Sequence, residues 1–338
     1  MMATAEFVER EEWEFQQEVE ETRKWMGSKR FEFTERPYGP EQVVAFRGRL
    51  SKLYPPPSAF TAQKMYDLCR ERFNKGGFTH TFGALDTVQV TTMAKYLECV
   101  YVSGWQCSST ASTSREPGPD YADYPANTVP TKVEELFKAQ MFHDRRQREA
   151  RSRMTKEERM KTPFVDYLRP IIADGDTGFG GITSVMKLIK MQIEAGAAGV
   201  HIEDQKPGAK KCGHMGGKVL VAVREQFDRL VAARLQADIL GAPTMIVART
   251  DAQAATFLET NIDPRDHPYI AGSTNPDIGD LVDSGNDEQW LKAAGLCRYT
   301  DAVAAAMEKK GKKELIAKWR ARSMTLSNSE ARKLAAEM

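Results

Sequence analysis

The hydrophobic and polar positions change period along the chain. Over residues 5–26 apolar side chains recur at helical spacing in a glutamate-rich background and stop at Gly27, which predicts a solvent-edged amphipathic helix. Pro40 opens a second predicted helix to about Leu50. After Pro55-Pro56-Pro57 a third runs from Thr61, a candidate N-cap, to Asn74, where Gly76-Gly77 stops it. Beyond residue 79 short apolar runs alternate with helical ones. The strand candidates are Thr81–Leu85, Val100–Trp105, Pro170–Asp174, Gly199–Gln205 and Thr244–Asp251. Between them lie helix candidates at Val88–Leu97, up to Arg153, Ile182–Ala195 and Arg224–Leu240. A long polar loop is expected from Trp105 to Pro130, and Thr155-x-x-Glu158 has the form of a capping box.

Strands apolar on both faces and separated by helices require a parallel sheet covered by helices. The polar residues choose between its two forms. Each later strand carries its reactive side chains at the carboxyl end: Ser103 and Trp105, Asp174 and Asp176, Glu203 and Asp204, Arg249 and Asp251. Groups converging on one rim from successive strands are the habit of a (β/α)8 TIM-type barrel, whereas an open doubly wound sheet gathers its site at one switch point. About five strands are found. After Asp251 a helical segment is expected, then the turn-rich 261–285, then helices near 286–294, 299–309 and 312–322, with Ser327-x-x-Glu330 capping a last one. The organisation read from this is an N-terminal helical segment (1–78), barrel strands one to five with a catalytic loop (79–272) and a helical insertion (273–338). A five-stranded barrel leaves two bare edges, so the expectation is an incomplete barrel, a piece of a longer protein.

Composition narrows the function. With 48 basic and 47 acidic side chains in 338 residues, the net charge of +1 gives no reason to expect a nucleic acid. No run of eighteen apolar residues predicts a membrane span, and the acidic N-terminus does not resemble a secretory or mitochondrial presequence. Five scattered cysteines, without paired metal spacing, suit a reducing compartment.

The chemistry clusters in Gly199–Lys218, an apolar run ending in Glu203-Asp204 and followed by a glycine-spaced loop. Lys210, Lys211 and His214 flank Cys212 and should favour its thiolate; the alternative is a buried, inert cysteine. Glycines at 213, 216 and 217 would let the backbone approach a small ligand. Asp120, Asp174, Asp176 and Glu203 are candidates for a hard-cation site, since oxygen-only ligands select magnesium or manganese over zinc. Magnesium uses one or two direct carboxylates, so most of the four would act through water. Asp-Gly-Asp is also an ordinary turn sequence. Arg249, after Ile-Val-Ala, needs an anion, either a substrate carboxylate or a neighbouring Asp. Ser103-Gly104-Trp105 could receive a second carboxylate or be a turn with a packing tryptophan. His201 stays open between core and site; His80, His143 and His267 read as structural or surface residues.

Six stretches carry a family resemblance: Tyr101-Val-Ser-Gly-Trp105, Pro119-Asp120 with Tyr124-Pro125, Ala173-Asp-Gly-Asp-Thr-Gly-Phe-Gly-Gly181, His201-Ile-Glu-Asp-Gln205, Lys210-Lys-Cys-Gly-His-Met215 and Ala248-Arg-Thr-Asp251. Together they resemble the isocitrate lyase family, similar in fold to the phosphoenolpyruvate mutase superfamily. The resemblance implies magnesium-dependent cleavage of isocitrate to glyoxylate and succinate, an early step of the glyoxylate cycle. It implies Asp174 as the direct metal ligand, with Asp120, Asp176 and Glu203 acting through water. Cys212 would be the proton donor, Gly213, His214 and Arg249 would bind substrate oxygens, and Ser103, Gly104 and Trp105 would close the glyoxylate end.

Further family residues on later strands, a glutamate and an Asn…Ser-x-Ser stretch, do not occur before Met338, and residues 286–338 are similar to the insertion of longer eukaryotic members. This chain alone is therefore expected to be inactive and its full-length parent a homotetrameric lyase, cytoplasmic or glyoxysomal/peroxisomal, any targeting tail lying beyond Met338. The rival readings are methylisocitrate lyase, a hydrolase of a 2-oxo diacid, which the Lys-Lys-Cys-Gly-His loop disfavours, and a non-catalytic assembly subunit.

Overall fold

The computed structural model of the chain describes residues 4–48, 55–285 and 287–338. They group into two compact units, Met1–Lys218 with Phe227–Ala254, and Val219–Gln226 with Ala255–Met338.

The first unit opens with helices α1 (Ala5–Met26), α2 (Pro40–Ala45) and α3 (Ser58–Lys75). Thr4 caps α1 by accepting from the Phe7 amide, and left-handed Gly76 ends α3. Thr61 is not the N-cap of α3: it lies inside the helix, which starts at Ser58, and its hydroxyl donates to the Ser58 carbonyl. Helix α2 ends at Ala45, with Phe46 as its C-cap, short of the expected end at Leu50, which itself lies outside the described residues.

The alternating part contains β1 (Thr81–Gly83), α4 (Thr87–Met93), β2 (Cys99–Val102), α5 (Gly104–Ala111), α6 (Thr128–Ser152), α7 (Lys156–Lys161), β3 (Ile171–Asp174), α8 (Ile182–Ala195), β4 (Gly199–Glu203), β5 (Lys218–Leu220), α9 (Val223–Ile239) and β6 (Met245–Arg249). Five strands form one sheet in the order β1-β2-β3-β4-β6, every pair parallel. The large-sheet strands therefore neighbour one another in chain order. A doubly wound sheet reverses direction at a switch point, whereas a singly wound one with helical crossovers is how a (β/α) barrel is laid down. The fold is α/β, an arc of five parallel strands of that kind.

Two local expectations are corrected here. Residues 105–111 are not loop, because Ser103 accepts from the Gln106 amide and starts α5. Residues after Asp251 do not continue as an α-helix, because a short 3-10 turn, Ala252–Ala254, leads into strand β7 (Ala255–Leu258), whose Ala-Thr-Phe-Leu composition suits an extended chain.

The main core lies between sheet and helices. Val100, Ile171, Val200 and Ile202 meet Leu136, Val185 and Ile189, all buried. Each such side chain contributes about 1.5–3 kcal/mol relative to exposure. Gly196 ends α8 at φ +114°, and a side chain there would overlap the Phe137 ring. The N-terminal helices are tied to the end of α9. Arg36 Nε donates to Asp238 Oδ2 at 2.7 Å, Tyr38 Oη donates to the same oxygen at 2.9 Å, and Arg234 Nε donates to Oδ1 at 2.9 Å. Arg47 donates to the carbonyls of Asp238 and Ile239 at the end of α9, and the Asp238 carbonyl also accepts from the Gly241 amide at 3.0 Å.

The second unit contains β7, short strands β8 (Ala271–Gly272) and β9 (Cys297–Arg298), and helices α10 (Asp287–Ala294), α11 (Tyr299–Lys309), α12 (Lys313–Ser323) and α13 (Asn328–Glu337). Its own small core is centred on Trp319, with Ala304, Met307, Ala331 and Leu334. Ser327 and Glu330 form the expected capping box of α13. Among the described residues no helix is long and apolar enough to cross a membrane.

Candidate active site

The carboxyl ends of β2, β3, β4 and β6 and the loops that follow them carry the polar groups. Asp174 is the last residue of β3. Its Oδ2 accepts from the Gly104 amide at 2.9 Å and from Tyr101 Oη at 3.2 Å, and its Oδ1 accepts from the Asp176 amide at 2.8 Å. Those bonds turn the chain so sharply that Asp176 takes a left-handed conformation, φ +50°. The turn directs the Asp176 carboxylate to Tyr124, whose Oη donates to Oδ2 at 2.8 Å. Asp120 arrives from the loop after α5, which Ser108 and Gly118 fasten by exchanging bonds of 3.1 and 3.2 Å. Lys210 Nζ donates to both Asp120 Oδ2 and Asp176 Oδ2, the latter at 2.7 Å.

Glu203 ends β4 with no exposed surface, and Arg249 is its register partner on β6. Arg249 Nε lies 3.1 Å from Glu203 Oε2 and 3.2 Å from Asp251 Oδ2. The anion facing Arg249 in this structure is thus a pair of neighbouring carboxylates, not only a prospective substrate. Asp251 is held from the other side by Lys218. His201, which sequence reasoning left open, belongs to this site: its Nε2 pairs with Tyr101 Oη at 2.9 Å and lies 3.5 Å from Asp174 Oδ1.

Crowding these charges shifts their protonation. Burial, reinforced by Asp176, pushes the Glu203 carboxyl up to about 9, against the pull of Arg249 and Lys210. Asp176 is also raised, by burial and then by Asp174 and Asp120, with Lys210 opposing. For Asp174 burial again acts upward, but His201, Lys210 and the amides of Gly104 and Asp176 together hold it below the usual carboxylate range. Lys210 is raised: burial disfavours its charge, and Asp176 and Asp120 more than compensate.

The loop bearing Cys212, Gly213 and His214 is anchored through its root. Gln205 Nε2 donates to Glu203 Oε1 and to the Lys211 carbonyl, both at 3.0 Å, and Gln205 Oε1 accepts from the Lys211 amide at 2.9 Å. Cys212 is half-buried, and Gly213 and His214 are exposed. One expectation needs correction: the Lys210 ammonium serves carboxylates, not the thiol, because two buried anions attract it more strongly than a sulfhydryl can. Ser103 is the N-cap of α5, and the Gly104 amide is occupied by Asp174; Trp105 is exposed. Sequence reasoning gave no role to Tyr101, Tyr124 or Gln205. All three stood inside the stretches quoted above, and the placement of Tyr101 near the carboxyl end of β2 and of Tyr124 four residues after Asp120 was the available signal.

Asp120, Asp174, Asp176 and Glu203 are at most 6% exposed, and they face one buried ammonium and one half-buried guanidinium. Glu203 Oε2 is buried and receives no hydrogen bond among the described residues. A set so rich in buried carboxyl oxygens fits a hard divalent cation. Among the described residues no three His, Cys, Asp or Glu side chains converge as direct ligands.

The model of the isocitrate lyase family matches residues 18–338. This chain belongs to that family. An isocitrate lyase from Oryza sativa subsp. japonica is 52% identical over 314 residues, 88% of this chain and 54% of that protein. The isocitrate lyase of Saccharomyces cerevisiae is 46% identical over 94% of this chain and 61% of its own length. A mitochondrial 2-methylisocitrate lyase from Hypocrea atroviridis is 43% identical over 88% and 55% respectively. The chain spans roughly half to three fifths of the length of these curated relatives.

Proposed function

We propose that the full-length product acts as an isocitrate lyase, cleaving isocitrate between C2 and C3 to glyoxylate and succinate with magnesium as cofactor. The observation that carries this reading is the cluster of four buried carboxylates fastened, through Lys210 and Gln205, to the loop that bears Cys212. Asp174, with Asp120, Asp176 and Glu203 behind water, would hold the ion. Bound there, magnesium would supply Lewis-acid chemistry, making the hydroxyl of a 2-hydroxy acid more acidic and offsetting charge on the departing aldehyde oxygen.

The chain's own groups do the rest. Arg249, His214 and the Gly213 amide bind carboxylate oxygens, and the Ser103-Gly104-Trp105 turn closes the glyoxylate end. As the C2–C3 bond breaks, its electron pair stays on the succinate carbon, and Cys212 Sγ supplies the proton that carbon needs. Higher identity to the isocitrate lyases than to the 2-methylisocitrate lyase supports the smaller substrate. A homotetramer in the cytosol or glyoxysome belongs to the same reading and rests on resemblance.

The test uses the full-length product of the gene. Magnesium-dependent glyoxylate from isocitrate, trapped with phenylhydrazine, is compared with pyruvate from 2-methylisocitrate. Cys212→Ser should abolish glyoxylate release while leaving magnesium and succinate binding unchanged. Faster pyruvate release would transfer the assignment to 2-methylisocitrate, and neither product would refute it.

A further inference from the structure

Arg249, which receives a substrate carboxylate in the proposed reaction, already faces two acids. Its Nε lies 3.1 Å from Glu203 Oε2 and 3.2 Å from Asp251 Oδ2. Both oxygens are buried, and among the described residues neither accepts a hydrogen bond, so the guanidinium is held here by charge more than by directed bonding. Both contacts use Nε, and 33% of the side chain stays exposed, which leaves the terminal nitrogens as the fork that grips a carboxylate bidentately.

What that fork offers an anion depends on the charges behind it. Lys218, the first residue of β5, supplies one of them: its side chain is 2% exposed and its ammonium pairs with Asp251 Oδ1, the oxygen of that carboxylate not facing Arg249. Asp251 is fixed from its backbone, since its amide donates to Asp204 Oδ1 at 2.9 Å and the Thr250 hydroxyl donates to Asp204 Oδ2 at 2.6 Å. The buried Lys210 ammonium is committed elsewhere, to Asp120 and Asp176. With Glu203 protonated, Arg249 and Asp251 cancel and Lys218 makes the group positive; with Glu203 ionised, Lys218 brings a negative group back to neutral. In either state the fork meets an incoming anion with one more positive charge because of Lys218.

We propose that Lys218 is a positioning residue for the substrate carboxylate: it neutralises Asp251 from the far side and so leaves the Arg249 fork free to bind an anion. The inference rests on the reading of Arg249 as a substrate ligand given above and adds the residue that makes this arginine available. At the effective dielectric of a protein interior a unit charge within about 8 Å alters the binding of an anion by roughly tenfold or more.

The test uses the full-length product with magnesium, isocitrate as substrate and succinate as the calorimetric probe. Lys218→Met should weaken succinate binding and raise the isocitrate KM by roughly tenfold or more, with kcat changed by less than about threefold, whereas Lys218→Arg, which keeps the charge, should stay near the parent. The double variant Lys218→Met/Asp251→Asn should recover succinate affinity, because the anion that the lysine neutralised has gone with it. A lysine that only fills its place in the fold would lower kcat and affinity together and would gain nothing from losing its partner. Unchanged affinity in a folded Lys218→Met, a loss confined to kcat, or no recovery in the double variant overturns the proposal. Should Lys218→Met fail to fold, Asp251→Asn decides: with the lysine kept and the anion removed, succinate should bind more tightly, and equal or weaker binding overturns the proposal. A parent that neither cleaves isocitrate nor binds succinate would sink the proposed function and this inference together, whereas a parent that does both, beside an unaltered Lys218→Met, sinks this inference alone.

Discussion

Replacing Gly104 by alanine should damage the carboxylate cluster from behind. Gly104 is the first residue of α5 and has no left-handed requirement, so backbone propensity alone would make alanine neutral or mildly stabilising. The added Cβ, however, would overlap the Tyr124 hydroxyl and stand 3.1 Å from Asp174 Oδ2. Tyr124 is buried and cannot retreat without dropping its 2.8 Å bond to Asp176. Overpacking a filled core costs about 1–3 kcal/mol, and losing a buried hydrogen bond to a charged group about 1.5–3 kcal/mol. A destabilisation of roughly 2–4 kcal/mol is expected if the two costs partly overlap. Urea unfolding would read it as a lower midpoint at unchanged slope. The decisive control is Tyr124→Phe, which removes the hydroxyl that the new methyl strikes. In the double variant the overlap is gone, so the two changes should be less than additive by about 1 kcal/mol or more. Strict additivity, or an unaltered midpoint for Gly104→Ala, would refute the packing argument.

Three further outcomes follow from buried charge and buried sulfur. Asp238→Asn should destabilise the first unit by about 3–5 kcal/mol, because the Arg36 and Arg234 guanidiniums would be left uncompensated in the interior and the Tyr38 hydroxyl would lose its charged acceptor; an effect under about 1 kcal/mol in urea unfolding would contradict the ion cluster. Burial pushes the Cys107 thiol up to about 12, so iodoacetamide at pH 8 followed by peptide mapping should modify half-buried Cys212 well before Cys107. Since a raised thiol pKa means that the unfolded chain loses its proton first, Cys107 should also contribute a loss of stability as pH rises from about 9 towards 12. Equal labelling rates in the native protein would show that Cys107 is not sequestered.

Much of the framework was legible because its signals are local. Gly196 after an apolar period of 3.6 placed the end of α8, and Thr155 and Ser327, each three residues before a glutamate, marked helix starts that the structure keeps. Helix α5 was missed although Ser103 and Gln106 have the same capping spacing, because Trp-Gln-Cys-Ser-Ser-Thr is poor in strong helix formers and the glycine beside Ser103 reads as a turn. The site divides along the same line. That carboxylates gather at strand ends could be read from where each apolar run stops. Which cation they hold at rest could not, since Lys210 meets Asp120 across 90 positions of sequence and Asp176 across 34.

The consequence reaches beyond one lysine. Reading Lys210-Lys211-Cys212 as a string assigns the positive charge to the nearest sulfur, whereas the fold assigns it to the strongest unpaired anions within reach. Removing a buried carboxylate's partner costs more than leaving a thiol without a cation. In this site of surplus acid, the basic residue two positions before Cys212 is claimed by Asp120 and Asp176, so sequence proximity to the thiol is a poor guide to where its charge goes.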